Sequence, residues 1–337
     1  MSLKVALLGT SGHTGLVLDG IPEIEDCEFV GVCPAEPGDD LSKITRHAAW
    51  TERSKVFEDP LVLLDEAKPD VVGVCMRLPK NAATTRLALE RGISVVTEKP
   101  LATDLEDLRL LKATADHSTG RITAMFSFRF QPRFLAAQQA IAEGRIGAVC
   151  QAFGQKSYRW GKRAGWYRDR ETYGGTIPWA GIHGIDYLRW CSGREFVSVQ
   201  GLQANLVRKD YPGCEDCGGL LFETDLGGQA VLTFDYLRPA AAPTHGDDRL
   251  RLAGETGVIE VREADEFSQI VTDEKEPEAL PPAETDRLFV DFVGELRGGP
   301  AHRISQEDAF RVTEIALLAR QACDEKETVS LRPKSGK

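Results

Sequence analysis

Long apolar runs are missing from this chain. No stretch approaches the roughly 20 consecutive apolar residues that span a bilayer. The N-terminus enters a strand-like run without the basic segment and cleavage site of a secretory leader, so a soluble, cytoplasmic protein with no membrane partner is expected. A basic excess is missing too. The 41 Lys and Arg stand against 52 Asp and Glu, and the formal charge of −11 repels phosphate backbones at long range, which argues against nucleic acid as a partner. Eight cysteines scattered over 337 residues are too few for a disulfide scaffold. Cys214 and Cys217 make one C-x-x-C, but no second pair stands at finger-like spacing, and no metal site is expected. Internal repeats and low-complexity tracts are absent as well.

What is present reads as an ordinary globular composition, 42% hydrophobic and 28% charged. At roughly 150 residues per domain the length implies two domains. In the first third, short apolar runs at Lys4 to Leu8, Phe29 to Cys33, Lys55 to Phe57, Val71 to Cys75, Ile93 to Val96 and Ile122 to Phe126 alternate with helix-period segments such as Leu61 to Ala67, Ala82 to Arg91 and Leu105 to Ala115. This βαβα pattern predicts a doubly wound parallel sheet of the Rossmann type over residues 1–125. Beyond it the texture changes. One helix, Arg133 to Glu143, is followed by strand-like stretches at Val149 to Gly154, Val197 to Leu206, Gly219 to Thr224, Gln229 to Tyr236 and Leu250 to Leu252. Residues 126–337 are therefore expected to form an α+β domain with a mainly antiparallel open sheet, closed by helices at Asp286 to Leu296 and Gln306 to Asp324. The Glu- and Pro-rich piece Asp273 to Pro282 reads as a solvated loop.

The first strand-like run meets Gly9, Thr10, Ser11, Gly12, His13, Thr14 and Gly15 directly before a helix-like stretch. A strand that turns sharply into a helix needs positions without Cβ, and such a turn leaves N–H groups for a pyrophosphate. The spacing G-x-x-G-x-x-G places Ser11 where the second glycine of the commoner form would stand. The carboxylate that holds the adenosine ribose is expected near the end of the second strand. Glu36 is the nearest one, and with no Arg close behind it NAD is favoured over NADP.

The fifth strand-like run leads into Glu98, Lys99 and Pro100. Further on come Arg129-Phe130-Gln131-Pro132, Glu143-Gly144-Arg145-Ile146-Gly147, Gly174-Gly175 and His183-x-x-Asp186. In this order and over nearly the whole chain, the sequence resembles the Gfo/Idh/MocA family of nicotinamide-dependent sugar and polyol oxidoreductases. The resemblance implies hydride transfer between NAD or NADP and a carbinol carbon, with Glu98, Lys99 and Pro100 beside the cofactor and assembly into dimers or tetramers through the C-terminal sheet. A lysine past a strand end lies where α/β sheets bind ligands, and its cation stabilises developing alkoxide. Pro100 keeps Lys99 out of helical geometry.

His183 follows an apolar stripe on a helix, and the resemblance makes it the general base, with Asp186 one turn on to orient it. Many members of the family carry an Asp four residues before this histidine. Here Trp179 stands there, either as a wall against a sugar ring or as core. Residues 156–173 form a basic, aromatic island containing Tyr158, Arg159, Trp160, Arg163 and Trp166. Tyr158, Arg159, Trp160 and Trp166 of this island, together with Arg129, Trp179 and His183, are the candidate substrate contacts. The island reads either as an arm favouring an anionic or polyhydroxylated substrate or as a subunit contact. The alternative to an enzyme is a dinucleotide- and sugar-binding sensor without turnover.

Overall fold

The computed structural model describes residues 2–332. Six parallel strands make the first sheet: β1 (Leu3–Leu8), β2 (Cys27–Cys33), β3 (Lys55–Val56), β4 (Val71–Val74), β5 (Ser94–Thr97) and β6 (Ile122–Ala124). Their order, β3-β2-β1-β4-β5-β6, reverses between β1 and β4 and is that of a doubly wound dinucleotide-binding sheet. The patterned sequence begins one residue earlier than expected, at Leu3. Central strands of such a sheet are covered on both faces, which is why β4 and β5 read as unbroken buried runs.

The crossovers carry α1 (Gly15–Leu18), α2 (Ser42–Thr45), α3 (Pro60–Ala67), α4 (Leu78–Leu89) and α5 (Leu105–His117). Start signals are local: Asp59 caps α3 ahead of Pro60, and Asp104 accepts the Asp107 N–H at the head of α5. On α5 the buried residues Leu108, Leu111 and Ala115 recur at helical spacing.

The chain divides into two compact units, and the division is discontinuous. The first holds the chain up to Ser127 together with Asp286–Thr313, and the second holds Phe128–Thr285 with the chain from Glu314. A single cut near residue 125 would miss the returning segment. That segment carries α9 (Leu288–Leu296), whose Leu288, Phe289, Phe292 and Val293 are buried. It is also clipped to β6: His302 Nε2 lies 2.9 Å from Thr123 Oγ1, while Nδ1 meets Asp291 at 2.5 Å.

In the second unit, α6 (Pro132–Ala142), α7 (Arg170–Tyr173) and α8 (Ile182–Ser192) accompany a nine-stranded sheet. The long helix α10 (Gln306–Glu325) runs across the boundary at Thr313. The sheet strands are β7 (Val149–Arg159), β8 (Phe196–Ala204), β9 (Cys217–Thr224), β10 (Gln229–Arg238), β11 (Gly246–Gly254), β12 (Gly257–Arg262), β13 (Phe267–Thr272), β14 (Lys275–Ala279) and β15 (Val329–Ser330). The order is β14-β13-β12-β11-β7-β10-β9-β8-β15, and every pair except β7 with β10 is antiparallel. The segment expected to be a solvated loop contains edge strand β14. All five of its residues are exposed, so it has no apolar alternation to betray it.

Two glycines seat α8 close against this sheet. A Cβ at Gly184 would stand 2.4 Å from Leu232 Cδ1, and one at Gly154 would stand 3.0 Å from Leu188. This close approach of helix backbone to strand fixes where the His183 side chain emerges.

Candidate active site

The glycine turn closes on the end of β5. Gly9 and Gly12 have φ of +90° and +77°, conformations that side chains resist. At Gly12 space also decides, because a Cβ there would sit 2.0 Å from Glu98 Oε2. The Glu98 carboxylate accepts the His13 backbone N–H at 2.7 Å and meets His13 Nδ1 at 2.8 Å. Its other oxygen accepts the Lys99 N–H at 3.0 Å and lies 3.9 Å from Lys99 Nζ. Burial pushes the Glu98 carboxyl up, but His13 and Lys99 outweigh that and hold it below the usual range. Lys99 itself is only 2% exposed, and its peptide bond to Pro100 is cis. A buried carboxylate thus ties the glycine turn to the lysine.

Helix α1 is a single turn, so its dipole contributes little, and the turn's own N–H groups must carry any anion binding. Beside the turn lies a cleft of about 310 Å³ lined by Thr10, Gly12, Thr14, Gly15, Lys43 and His47, among others. Glu36, the expected ribose carboxylate, is paired with Lys80 at 2.8 Å. The carboxylate that reaches the turn is Asp39, which the strand-end rule passed over. Asp39 accepts from Thr10 Oγ1 at 2.8 Å and from Arg77 at 3.1 Å, and Arg77 also donates to Ser11 Oγ at 2.8 Å. The Pro37-Gly38 turn lengthens the loop and carries the acid six residues past β2, the one signal that could have found it.

In the second unit, a π-helical turn at Ile177–Gly181 leads into α8, where His183 is 4% exposed. Its ring packs on Phe128 with centroids 5.4 Å apart. Asp186, expected to orient His183, holds Arg129: Arg129 reaches Oδ1 from NH2 at 2.7 Å and from Nε at 3.0 Å, with both side chains 1% exposed. Arg129 also lies 5.5 Å from the Trp190 ring. These contacts make Arg129 and Asp186 a buried ion pair that ties the turn before α6 to α8.

Two family models match in tandem. The oxidoreductase family with an NAD-binding Rossmann fold covers residues 5–126, and the GFO/IDH/MocA C-terminal domain covers residues 134–260. The chain belongs to the GFO/IDH/MocA oxidoreductase family. A solved structure from Thermotoga maritima, provisionally described as an oxidoreductase, is 35% identical and superposes with a TM-score of 0.92 over 97% of this chain and 100% of that one. Inositol 2-dehydrogenase 2 of Saccharopolyspora erythraea is 29% identical over 53% of this chain and 52% of its own length. The inositol 2-dehydrogenase/D-chiro-inositol 3-dehydrogenase of Shouchella clausii is 26% identical over 77% of this chain and 72% of its own. The chain spans about half the length of the first of these curated relatives.

Within this family member the basic island is a packed cluster, and most of its cations are engaged internally. Lys156 is fully buried, pairs with Asp248 at 2.6 Å and lies 4.0 Å from the Phe128 ring. Burial raises the Asp248 carboxyl despite Lys156. Arg159 donates to the Ala240 and Ala242 carbonyls, and Arg170 bonds Glu215 and Asp324. The rings form their own core. Tyr173 and Tyr236 share a 2.9 Å hydroxyl contact, and burial pushes Tyr167 up to about 12. Trp179 is partly buried against this cluster, edge-on to Trp166 at 6.1 Å and to Tyr167 at 6.5 Å. Of the C-x-x-C pair, Cys214 is buried among these rings, and among the described residues no cluster of His, Cys, Asp and Glu could hold a metal.

Proposed function

We propose that this protein is an NAD(P)-dependent dehydrogenase that oxidises a CH–OH group of a sugar or polyol. The observation that carries the reading is Glu98, one buried carboxylate that bonds both the glycine turn and Lys99. A dinucleotide fits what the turn offers. With Ser11 and His13 N–H groups already engaged, Gly12, Thr14 and Gly15 remain to face a pyrophosphate, and Lys43 borders the same cleft. Gly12 has no room for a side chain in that cradle. The nicotinamide supplies the hydride acceptor when bound.

Lys99 would polarise the substrate oxygen, and its burial keeps that cation in low dielectric, where it acts most strongly. His183 would take the hydroxyl proton, with the Arg129–Asp186 ion pair holding α8 in place. The names of the curated relatives, inositol dehydrogenases among them, favour a polyhydroxylated ring as substrate. Titration with NADH and NADPH, followed by a turnover screen on myo-inositol, glucosides and sugar acids, tests the reading. Tight dinucleotide binding with no turnover on any of them would favour a sensor, and absence of dinucleotide binding would end both readings.

Asp39 rather than Glu36 would face the adenosine ribose, with Arg77 beside it. Asp39→Ser removes the carboxylate and releases Arg77, so the ratio of NADH to NADPH affinity is expected to fall by about 10-fold or more. Fluorescence titration of the two coenzymes checks it, and an unchanged ratio would return the role to Glu36.

A further inference from the structure

The aromatic cluster of the second unit holds Arg163 and Arg208, neither of which pairs with a carboxylate among the described residues. Three of the five tryptophans and five of the six tyrosines gather there. The Arg163 guanidinium lies 4.6 Å from the Tyr236 ring, 5.1 Å from Tyr167 and 5.4 Å from Trp160. The Arg208 guanidinium lies 5.0 Å from the same Trp160 ring. Each has its Nε buried with no hydrogen-bond partner. Other cations around this cluster find carboxylates: Lys156 has Asp248, Arg170 has Glu215 and Asp324, and Arg238 has Asp247. In a chain with an acidic excess, acid is not scarce.

Two like charges on one ring, each with an unmet buried donor, repel each other and want an acceptor between them. The terminal nitrogens of Arg163 make only long contacts, to Tyr167 Oη at 3.5 Å and the Arg159 carbonyl at 3.4 Å, and the Nε of each arginine is left for an oxyanion. His245 registers the same local field. Burial and the cations Arg163, Arg159 and Lys156 depress its pKa, and its ring stacks on Tyr158 at 4.9 Å. The cluster also connects to the proposed base. Trp179 stands one helical turn before His183 and contacts Tyr167, one of the rings that hold Arg163.

We propose that Arg163 and Arg208, gathered on Trp160, bind an oxyanion carried by the substrate, a carboxylate or phosphate placed away from the carbinol that reacts. This deepens the dehydrogenase reading and rests on it: the substrate becomes an acidic sugar or polyol derivative.

Calorimetry on the NADH-loaded protein with lactobionate, D-glucose 6-phosphate, lactose and myo-inositol tests this. A charged probe is expected to bind at least about 10-fold more tightly than its neutral counterpart, and Arg163→Lys or Arg208→Lys to shrink that ratio by about 10- to 100-fold, the range for a charge-assisted hydrogen bond. Unchanged NADH affinity and thermal unfolding show that the variants are folded. Equal affinity for charged and neutral probes, or an equal loss of both in the variants, overturns the proposal. Anion binding that does not compete with the oxidised substrate overturns the assignment to substrate. If NADH does not bind, the same titrations on the unloaded protein still read the anion preference, and the failure counts against the dehydrogenase reading alone.

Discussion

Exchanging Lys99 for methionine is expected to lower kcat/KM by about 10²- to 10³-fold, the cost of removing one preorganised donor to developing oxyanion charge. Methionine keeps the unbranched length and suits a site that is 2% exposed, so the loss reports charge and not a collapsed cavity. The variant should carry a second mark. Glu98 is held ionised by His13 and Lys99 against the upward push of burial. With Lys99 gone its carboxyl titrates at higher pH. A carboxyl whose folded pKa is depressed contributes above its unfolded pKa, and that contribution is lost as pH falls through the folded value. In Lys99→Met this loss moves upward, so NADH affinity should weaken with acidification earlier than in the wild type. Parallel titrations across the acid range separate the two proteins, and coincident pH profiles would show that Glu98 does not link the lysine to the turn.

Asp186→Ala is expected to destabilise the second unit by about 3–5 kcal/mol, because it strands the Arg129 guanidinium where both partners are 1% exposed. At roughly 2–4 °C per kcal/mol for a unit of this size, the melting temperature falls by about 10 °C. The paired exchange Arg129→Met with Asp186→Leu removes the orphan and should recover most of the loss, since an apolar pair in place of a buried ion pair is often neutral. This pair also decides what Asp186 does. If it only braces α8, the double variant keeps turnover, and a stable but inactive double variant would make Asp186 a partner of the base.

The parts of this molecule legible in the sequence are those written locally. The glycine turn, the Glu98-Lys99-Pro100 corner and the alternation of buried strands with capped helices each lie within a few consecutive residues, and each stands where the pattern placed it. The direct tie between two of them was not legible, because Glu98 and His13 are 85 residues apart and nothing in either segment names the other. Asp39 was hidden by loop length. In the sequence the basic island stays open between a substrate arm and a subunit contact because its partners, Tyr236, Asp248 and Glu215, come from distant strands and loops, and only the fold shows which cations are spent. Strand β14 escaped for the opposite reason: pairing along an exposed edge asks nothing of side chains.

The segment Asp286–Thr313 belongs with residues made much earlier. At translation rates of about 5–20 residues per second, the nascent dinucleotide unit waits roughly 8 to 35 seconds for α9 and the His302 clip to emerge. During that interval the side of the unit that Phe289 and Phe292 will cover is bare, and residues 128–285 of the second unit are synthesised before it can be sealed. Maturation on the ribosome is therefore not vectorial, and this unfinished intermediate is where chaperone attention should fall.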